Sequence, residues 1–209
     1  MGSGLTDEQE YLILGTLLGD GAIEKRWKNP RLRIDHASAQ KEYVFWKYSI
    51  LENIATREPH ILYEKDKRSG KIFSRWYFST KAMPELEVYY RLFYRDKKKV
   101  ITRELLDHFN HPLSLAVWLM DDGYKRNDCD ALRLSTDCFS YEEQGILQRC
   151  LEKNFDMRSK IHKKGDTWNI YIPSTEMETA RNILASYMIP TMNYKLPPRN
   201  DLVRSIRTG

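Results

Sequence analysis

Behind Thr6, an N-cap with Asp7 and Glu8 in the first turn, apolar residues at Tyr11, Leu12, Leu14, Leu17 and Leu18 keep helical spacing until Gly19-Asp20-Gly21. This predicts an opening helix from Thr6 to Gly21. Beyond it the period changes to two. Over 31–36, Leu32 and Ile34 alternate with Arg31, Arg33 and Asp35, the pattern of a strand with one apolar and one charged face. Residues 72–78 and 168–172 alternate likewise, with Arg75 and Tyr77, or Asn169 and Tyr171, on the polar side. Turns are marked by Lys67-Arg68-Ser69-Gly70 and Lys163-Lys164-Gly165-Asp166. Helical spacing returns over 40–54, 82–94, 140–154 and 175–187. The order helix, two strands, helix, two strands, helix therefore occurs twice. It implies α+β halves whose helices cover one sheet face and leave the polar face open.

The same apolar helix running into Asp-Gly appears in both halves: Leu14-Gly15-Thr16-Leu17-Leu18-Gly19-Asp20-Gly21, then Ala116-Val117-Trp118-Leu119-Met120-Asp121-Asp122-Gly123. The recurrence extends beyond the helices. Leu32-Arg33-Ile34 returns as Leu132-Arg133-Leu134, Glu42 as Glu142 and Leu51-Glu52 as Leu151-Glu152, and Ser79-Thr80 is expected to correspond to Ser174-Thr175. Two long copies make an internal duplication, not a solenoid. A carboxylate at the end of a buried helix is costly unless a cation meets it, so two such helices point to Asp20 and Asp122 sharing one metal site. Aligning Gly21 with Gly123 selects Asp122 over Asp121, which is left to orient a water or to touch the metal from behind its ligands. Gly15 and Gly19, four apart, would let the second helix approach closely.

Charge and composition narrow the partner without naming it. The 209 residues carry a net charge of +5 and a pI near 9.0, which favours a polyanion, and 41% hydrophobic residues suffice for a core in one or two domains. Cys129, Cys138 and Cys150 are odd in number and form no Cys-x-x-Cys pair, arguing against a disulfide framework or zinc site. They suit a reducing compartment, whether cytoplasm, nucleoid or organelle matrix. No apolar run approaches the roughly 20 residues of a membrane span, and Met1-Gly2-Ser3-Gly4 reads as an expression scar.

With Trp118-Leu119-Met120-Asp121-Asp122-Gly123 and Asn193-Tyr194-Lys195-Leu196-Pro197 added to the duplication, the chain resembles the LAGLIDADG homing endonucleases of the single-chain, two-motif type over nearly its whole length. The resemblance implies a pseudo-two-fold fold in which two antiparallel sheets form a DNA-binding saddle, with helices on the opposite face and the motif helices at the centre. Residues 5–95 and 112–200 would be the halves and 96–111 the linker between them, acting together as a monomer on double-stranded DNA. It further implies site-specific, Mg²⁺-dependent cleavage of both strands at a long asymmetric target. Mn²⁺ is expected to substitute, and Ca²⁺ to support binding without cleavage. Asp20 and Asp122 become metal ligands, and Lys99 and Lys195 match positions where relatives place a basic residue near each scissile phosphate, to stabilise developing negative charge or tune the attacking water. DNA contacts fall to Arg31, Arg33, Arg75, Tyr77, Lys125, Arg133, Lys160, Asn169 and Tyr171 on the strands, with Lys65, Lys67, Arg68, Lys163 and Lys164 in the turns meeting phosphates.

Plainer readings stand beside these. Lys97-Lys98-Lys99 has the look of a solvated run. His108 and His111 lack further histidines or cysteines at metal-binding spacing, and Trp27, Trp46, Trp76, Trp118 and Trp168 suit a core better than a base-stacking platform. An RNA maturase, or a DNA-binding regulator of the same fold, is the alternative from a different class; a generic basic α+β protein is the third.

Overall fold

The computed structural model describes residues 4–25 and 28–196. Its centre is a pair of helices, α1 (Asp7–Leu18) and α5 (Pro112–Asp122). Each is started by a local device. Thr6 and Gln9 form a reciprocal capping box on α1, and Pro112 opens α5 while His111 accepts from the Leu113 amide. Leu12 to Leu18 are all buried, as are Leu113 to Asp121, because over these stretches both helices are enclosed on every side. The expected role of the glycines is borne out. A Cβ on Gly15 would lie 2.3 Å from the Ser114 carbonyl oxygen, and one on Gly19 would lie 2.3 Å from the Asp121 Cβ.

Around this pair the chain builds two four-stranded antiparallel sheets of identical order. β1 (Ala22–Glu24), β2 (Arg31–Ala37), β3 (His60–Lys65) and β4 (Ile72–Ser79) run β1-β2-β4-β3. Likewise β7 (Gly123–Lys125), β8 (Leu132–Leu134), β9 (Lys160–Lys164) and β10 (Thr167–Ile172) run β7-β8-β10-β9. The alternation read from 31–36 holds: Leu32, Ile34 and His36 are buried, and Arg31, Arg33 and Asp35 lie on the other face. The apolar faces are covered by α2 (Lys41–Leu51) and α6 (Tyr141–Phe155), the latter capped by a Ser140–Glu143 box. Leu32, Ile34, Phe78, Leu51, Leu132, Leu134, Ile170 and Leu151 join one continuous core with both motif helices.

The later helices are shorter than their periodicity suggests. Residues 82–94 form a 3₁₀ turn, Pro84–Leu86, followed by α3 (Glu87–Phe93), and 175–187 contain a turn, Ser174–Glu176, followed by α7 (Met177–Leu184). One repeat correspondence fails. Ser79 lies within β4 and pairs with Arg33, whereas its equivalent opposite Arg133 is Tyr171; Ser174 already belongs to the next turn. The letters match but the elements do not. Residues 96–111 are also more structured than a bare linker, with a hairpin of β5 (Tyr94–Arg95) and β6 (Lys98–Lys99) followed by α4 (Leu105–His108). Asp96 and Lys97 make its tight turn at φ 49° and 64°.

Trp118 is fully buried, and Trp46 and Trp76 pack against the same core. Trp168 is half-buried against Tyr141, and Trp27 lies outside the described residues. Among the described residues no helix is long and apolar enough to cross a membrane.

Candidate active site

Each motif helix ends just ahead of the first strand of its sheet, and the two ends lie side by side: the Asp20 amide donates to Asp121 Oδ2, and Asp122 feels the charge of Asp20. They are not electrostatic equals. Burial pushes the Asp20 carboxyl upward, but a hydrogen bond from His36 and the charge of Lys47 and Lys195 outweigh it and hold it below its ordinary value. Burial, together with the charges of Asp20 and Asp121, drives Asp122 up to about 7 despite Lys99 and Lys195.

Asp121 has a different environment. Its side chain is 0% exposed and bonded to the Lys47 ammonium at 2.8 Å and 3.0 Å, with the Tyr43 hydroxyl donating at 2.6 Å. Its Oδ2 also lies 3.3 Å from the Asp20 amide, which donates to it. Asp20, His36 and Asp121 each present a potential ligand atom within 4.8 Å of the others. The Asp121 oxygens, however, are already engaged by Lys47, Tyr43 and the Asp20 backbone, which leaves Asp20 and Asp122 as the carboxylates with capacity for a cation.

The two lysines expected beside the phosphates sit in related positions. Lys99 Nζ donates to the carbonyls of Gly19 (3.0 Å) and Gly21 (2.9 Å). Lys195 Nζ donates to the carbonyls of Met120 and Asp121, the latter at 2.6 Å. Each therefore caps the C-terminal end of one motif helix, where the helix dipole and unsatisfied carbonyls favour a cation. Burial lowers both ammonium pKa values, opposed by the nearby carboxylates. An ammonium has three donors, so each keeps one for a ligand beside the aspartates.

On the first sheet the open face is a lattice of alternating charge. Glu24 bridges Arg31 (2.7 Å) and Arg33 (3.1 Å), while Arg75 spans Asp35 (3.4 Å) and Glu64 (3.3 Å). Tyr77 stands on this face opposite Asp35, with its ring edge to His60. Lys67 and Arg68 occupy the exposed turn, and Lys65 pairs with Ile72, one step out of phase with the Arg75 side.

The second face is aromatic and basic. Tyr171 stacks on His162 at 4.5 Å, with the guanidinium carbons of Arg126 and Arg133 each 5.9 Å from its ring. Lys160 pairs with Tyr171, and Lys164 reaches Asp137 at 3.3 Å. Asn169 departs from its expected open position: it is 1% exposed, and neither amide atom has a hydrogen-bond partner. Lys163 pairs with Trp168 and lies over its ring, and Lys125 pairs with Leu132, so both point away from the Arg133 side.

Sequence reading overlooked Lys47, His36, Tyr43, Arg126, His162 and Glu24. A signal existed for two of them. His36 continues the buried phase of Leu32 and Ile34, and Lys47 falls in the apolar stripe of α2 with Tyr43, Val44 and Leu51.

The sequence signature of the LAGLIDADG DNA endonuclease family matches residues 11–179. The chain is 31% identical over 198 residues to a cytochrome b mRNA maturase bI2 of Debaryomyces hansenii, covering 92% of this chain and 74% of that protein. It is 30% identical over 200 residues to a probable intron-encoded endonuclease 1 of Wickerhamomyces canadensis, covering 92% and 85%. Among solved structures, the homing endonuclease I-WcaI bound to its DNA recognition sequence superposes with a TM-score of 0.87 at 28% identity, over 92% of this chain and 87% of that one.

Proposed function

Since the chain belongs to the LAGLIDADG DNA endonuclease family, we propose that it is a homing endonuclease that hydrolyses both strands of a long asymmetric DNA target with Mg²⁺. The observation that carries this reading is the joint emergence of Asp20 and Asp122 from the two motif helices, each helix end capped by its own lysine, half-buried Lys99 or buried Lys195.

The donor set fits a hard divalent cation. Three carboxylates converge, one is engaged by Lys47, and burial together with the charges of Asp20 and Asp121 pushes Asp122 to about 7. Asp20 and Asp122 would hold Mg²⁺, with Mn²⁺ substituting and Ca²⁺ supporting binding alone. When bound, the cation supplies positive charge against the phosphate and eases deprotonation of the attacking water. Lys99 and Lys195, fixed by two backbone carbonyls each, aim their remaining donor at the scissile phosphates. The open sheet faces read the duplex, with Arg31, Arg33, Arg75 and Arg133 positioned for base edges and Lys67, Arg68 and Lys164 for phosphates. Residues 5–95 and 112–200 serve as the two halves, joined by 96–111, and act as a monomer.

A second reading is favoured by one specific relative, the D. hansenii protein described as an mRNA maturase. In that case the same faces would bind RNA. Exposing the protein to partly randomised duplexes with Mg²⁺ and separately with Ca²⁺, then sequencing what is cut and what is retained, separates the two. Discrete ends at one long site in Mg²⁺ and retention alone in Ca²⁺ support the endonuclease; retention without cutting in both shifts the reading to the maturase.

A further inference from the structure

His36 lies between Asp20 and the buried Lys47–Asp121 pair. Its Nδ1 is 3.3 Å from Asp20 Oδ2, and its Nε2 is 3.2 Å from Lys47 Nζ and 3.7 Å from Asp121 Oδ1. For a neutral ring these contacts decide which nitrogen carries the proton. An ammonium only donates, so the Nε2 facing Lys47 at hydrogen-bonding distance must accept. Asp121 Oδ1 offers no competing partner within 3.5 Å of Nε2, since it accepts from Tyr43 and Lys47. In a neutral ring the proton is therefore on Nδ1, pointed at the Asp20 carboxylate. The ring cannot turn freely, because its side chain is 1% exposed.

Among the described residues, the second half does not repeat this arrangement. At the repeat offset that carries Leu32 to Leu132, His36 corresponds to Thr136 and Lys47 to Leu147. Thr136 Oγ1 donates to Gln144 Oε1 at 2.6 Å, and Leu147 is fully buried. Among the described residues, the Lys47–His36 contact thus leads to Asp20 and is not repeated beside Asp122.

We propose that Lys47 and His36 are positioning residues for Asp20: Lys47 fixes the histidine tautomer, and the Nδ1–H so created orients the Asp20 carboxylate for its cation. Asp121 completes the device by anchoring Lys47. The inference rests on the reading that Asp20 holds the metal. Partners that orient a ligand in this way are worth roughly 10–100-fold in metal affinity or activity.

The test compares His36→Asn with His36→Gln. Asparagine keeps an N–H near the Nδ1 position and loses the atom facing Lys47; glutamine keeps an acceptor towards Lys47 and loses the donor to Asp20. Cleavage should survive in His36→Asn within a few-fold and fall about 10–100-fold in His36→Gln. The reverse order, expected if His36 only fills space and satisfies Lys47, overturns the proposal. Nitrogen-15 NMR of the metal-free protein gives a readout independent of cleavage. Wild type should show His36 as the Nδ1–H tautomer, and Lys47→Met should mix or invert it; an unchanged tautomer overturns the role of Lys47. If Lys47→Met does not fold, the Lys47→Met/Asp121→Asn double variant removes both buried charges and is read in the same way. A wild type that cuts no duplex, with Nδ1–H intact and lost on substitution of Lys47, rejects the endonuclease while upholding the control of the His36 tautomer by Lys47.

Discussion

Gly19 and Asp121 hold equivalent places in the two motifs, and in space one exists to admit the other: a Cβ on Gly19 would meet Asp121 Cβ at 2.3 Å and Oδ2 at 2.6 Å. The departure of the second motif from the first is therefore a complementary pair. Gly19→Ala must displace Asp121 from Lys47, combining overpacking with a broken buried ion pair. The expected loss is about 3 kcal/mol in denaturant unfolding. Gly145→Ala is the control, since its Cβ would meet only the Arg149 side chain at 3.7 Å within α6; it should gain about 0.5–1 kcal/mol. Equal effects at the two positions would contradict the close approach.

The adjacent aspartates should respond in opposite directions. Asp121→Asn strands a fully buried Lys47 and should cost about 3–5 kcal/mol of stability. Asp122→Asn removes a crowded charge, so the metal-free protein at pH 8 should gain about 2 kcal/mol while cleavage is abolished. Thermal melts beside a cleavage assay test both. Loss of stability in Asp122→Asn would exchange the roles assigned to the pair.

Asp122 also predicts a proton coupled to the metal. Its folded pKa, about 7, lies above the ordinary 3.8, so the folded state holds a proton that the unfolded state has released across that window. This group's contribution to metal-free stability therefore falls as pH rises from about 4 to about 7 and is level above. A cation that needs the carboxylate must displace the proton. Mg²⁺ affinity should rise with pH up to about 7, and calorimetry at pH 6 in two buffers of different ionisation heat should show close to one proton released per binding event. No buffer dependence would remove Asp122 from the ligand set.

The sequence revealed what periodicity and duplication encode, namely the motif helices, the alternating strands and the aspartates that end each motif. It concealed what depends on distant partners. Lys47 is a charged residue in an apolar stripe until Asp121, 74 positions away, is known to meet it. Lys97-Lys98-Lys99 looks uniform, yet the turn at Asp96 and Lys97 sends Lys99 inward to Gly19 and Gly21. Lys163-Lys164 shows charge but not phase, and adjacent strand residues necessarily face opposite ways. Ser79-Thr80 and Ser174-Thr175 misled because two letters matched across different elements.

Asn169 offers the sharpest connection between the free protein and its target. Its amide is buried on the face shared with Tyr171 while both polar atoms lack partners, an arrangement that costs about 1–3 kcal/mol. If DNA is bound on this face and Tyr171, His162 and Arg133 move aside, such an amide would suit a bidentate partner such as an adenine edge. Asn169→Leu removes the unsatisfied groups at similar volume, so the free protein should become more stable. Discrimination at one base pair of the target should meanwhile weaken by about 1–3 kcal/mol, with other positions unchanged. Cleavage profiling of single-mismatch duplexes measures this directly. A uniform loss of affinity at all positions would place Asn169 in the framework of the sheet instead, and higher stability with an unchanged profile would leave it no part in reading the DNA.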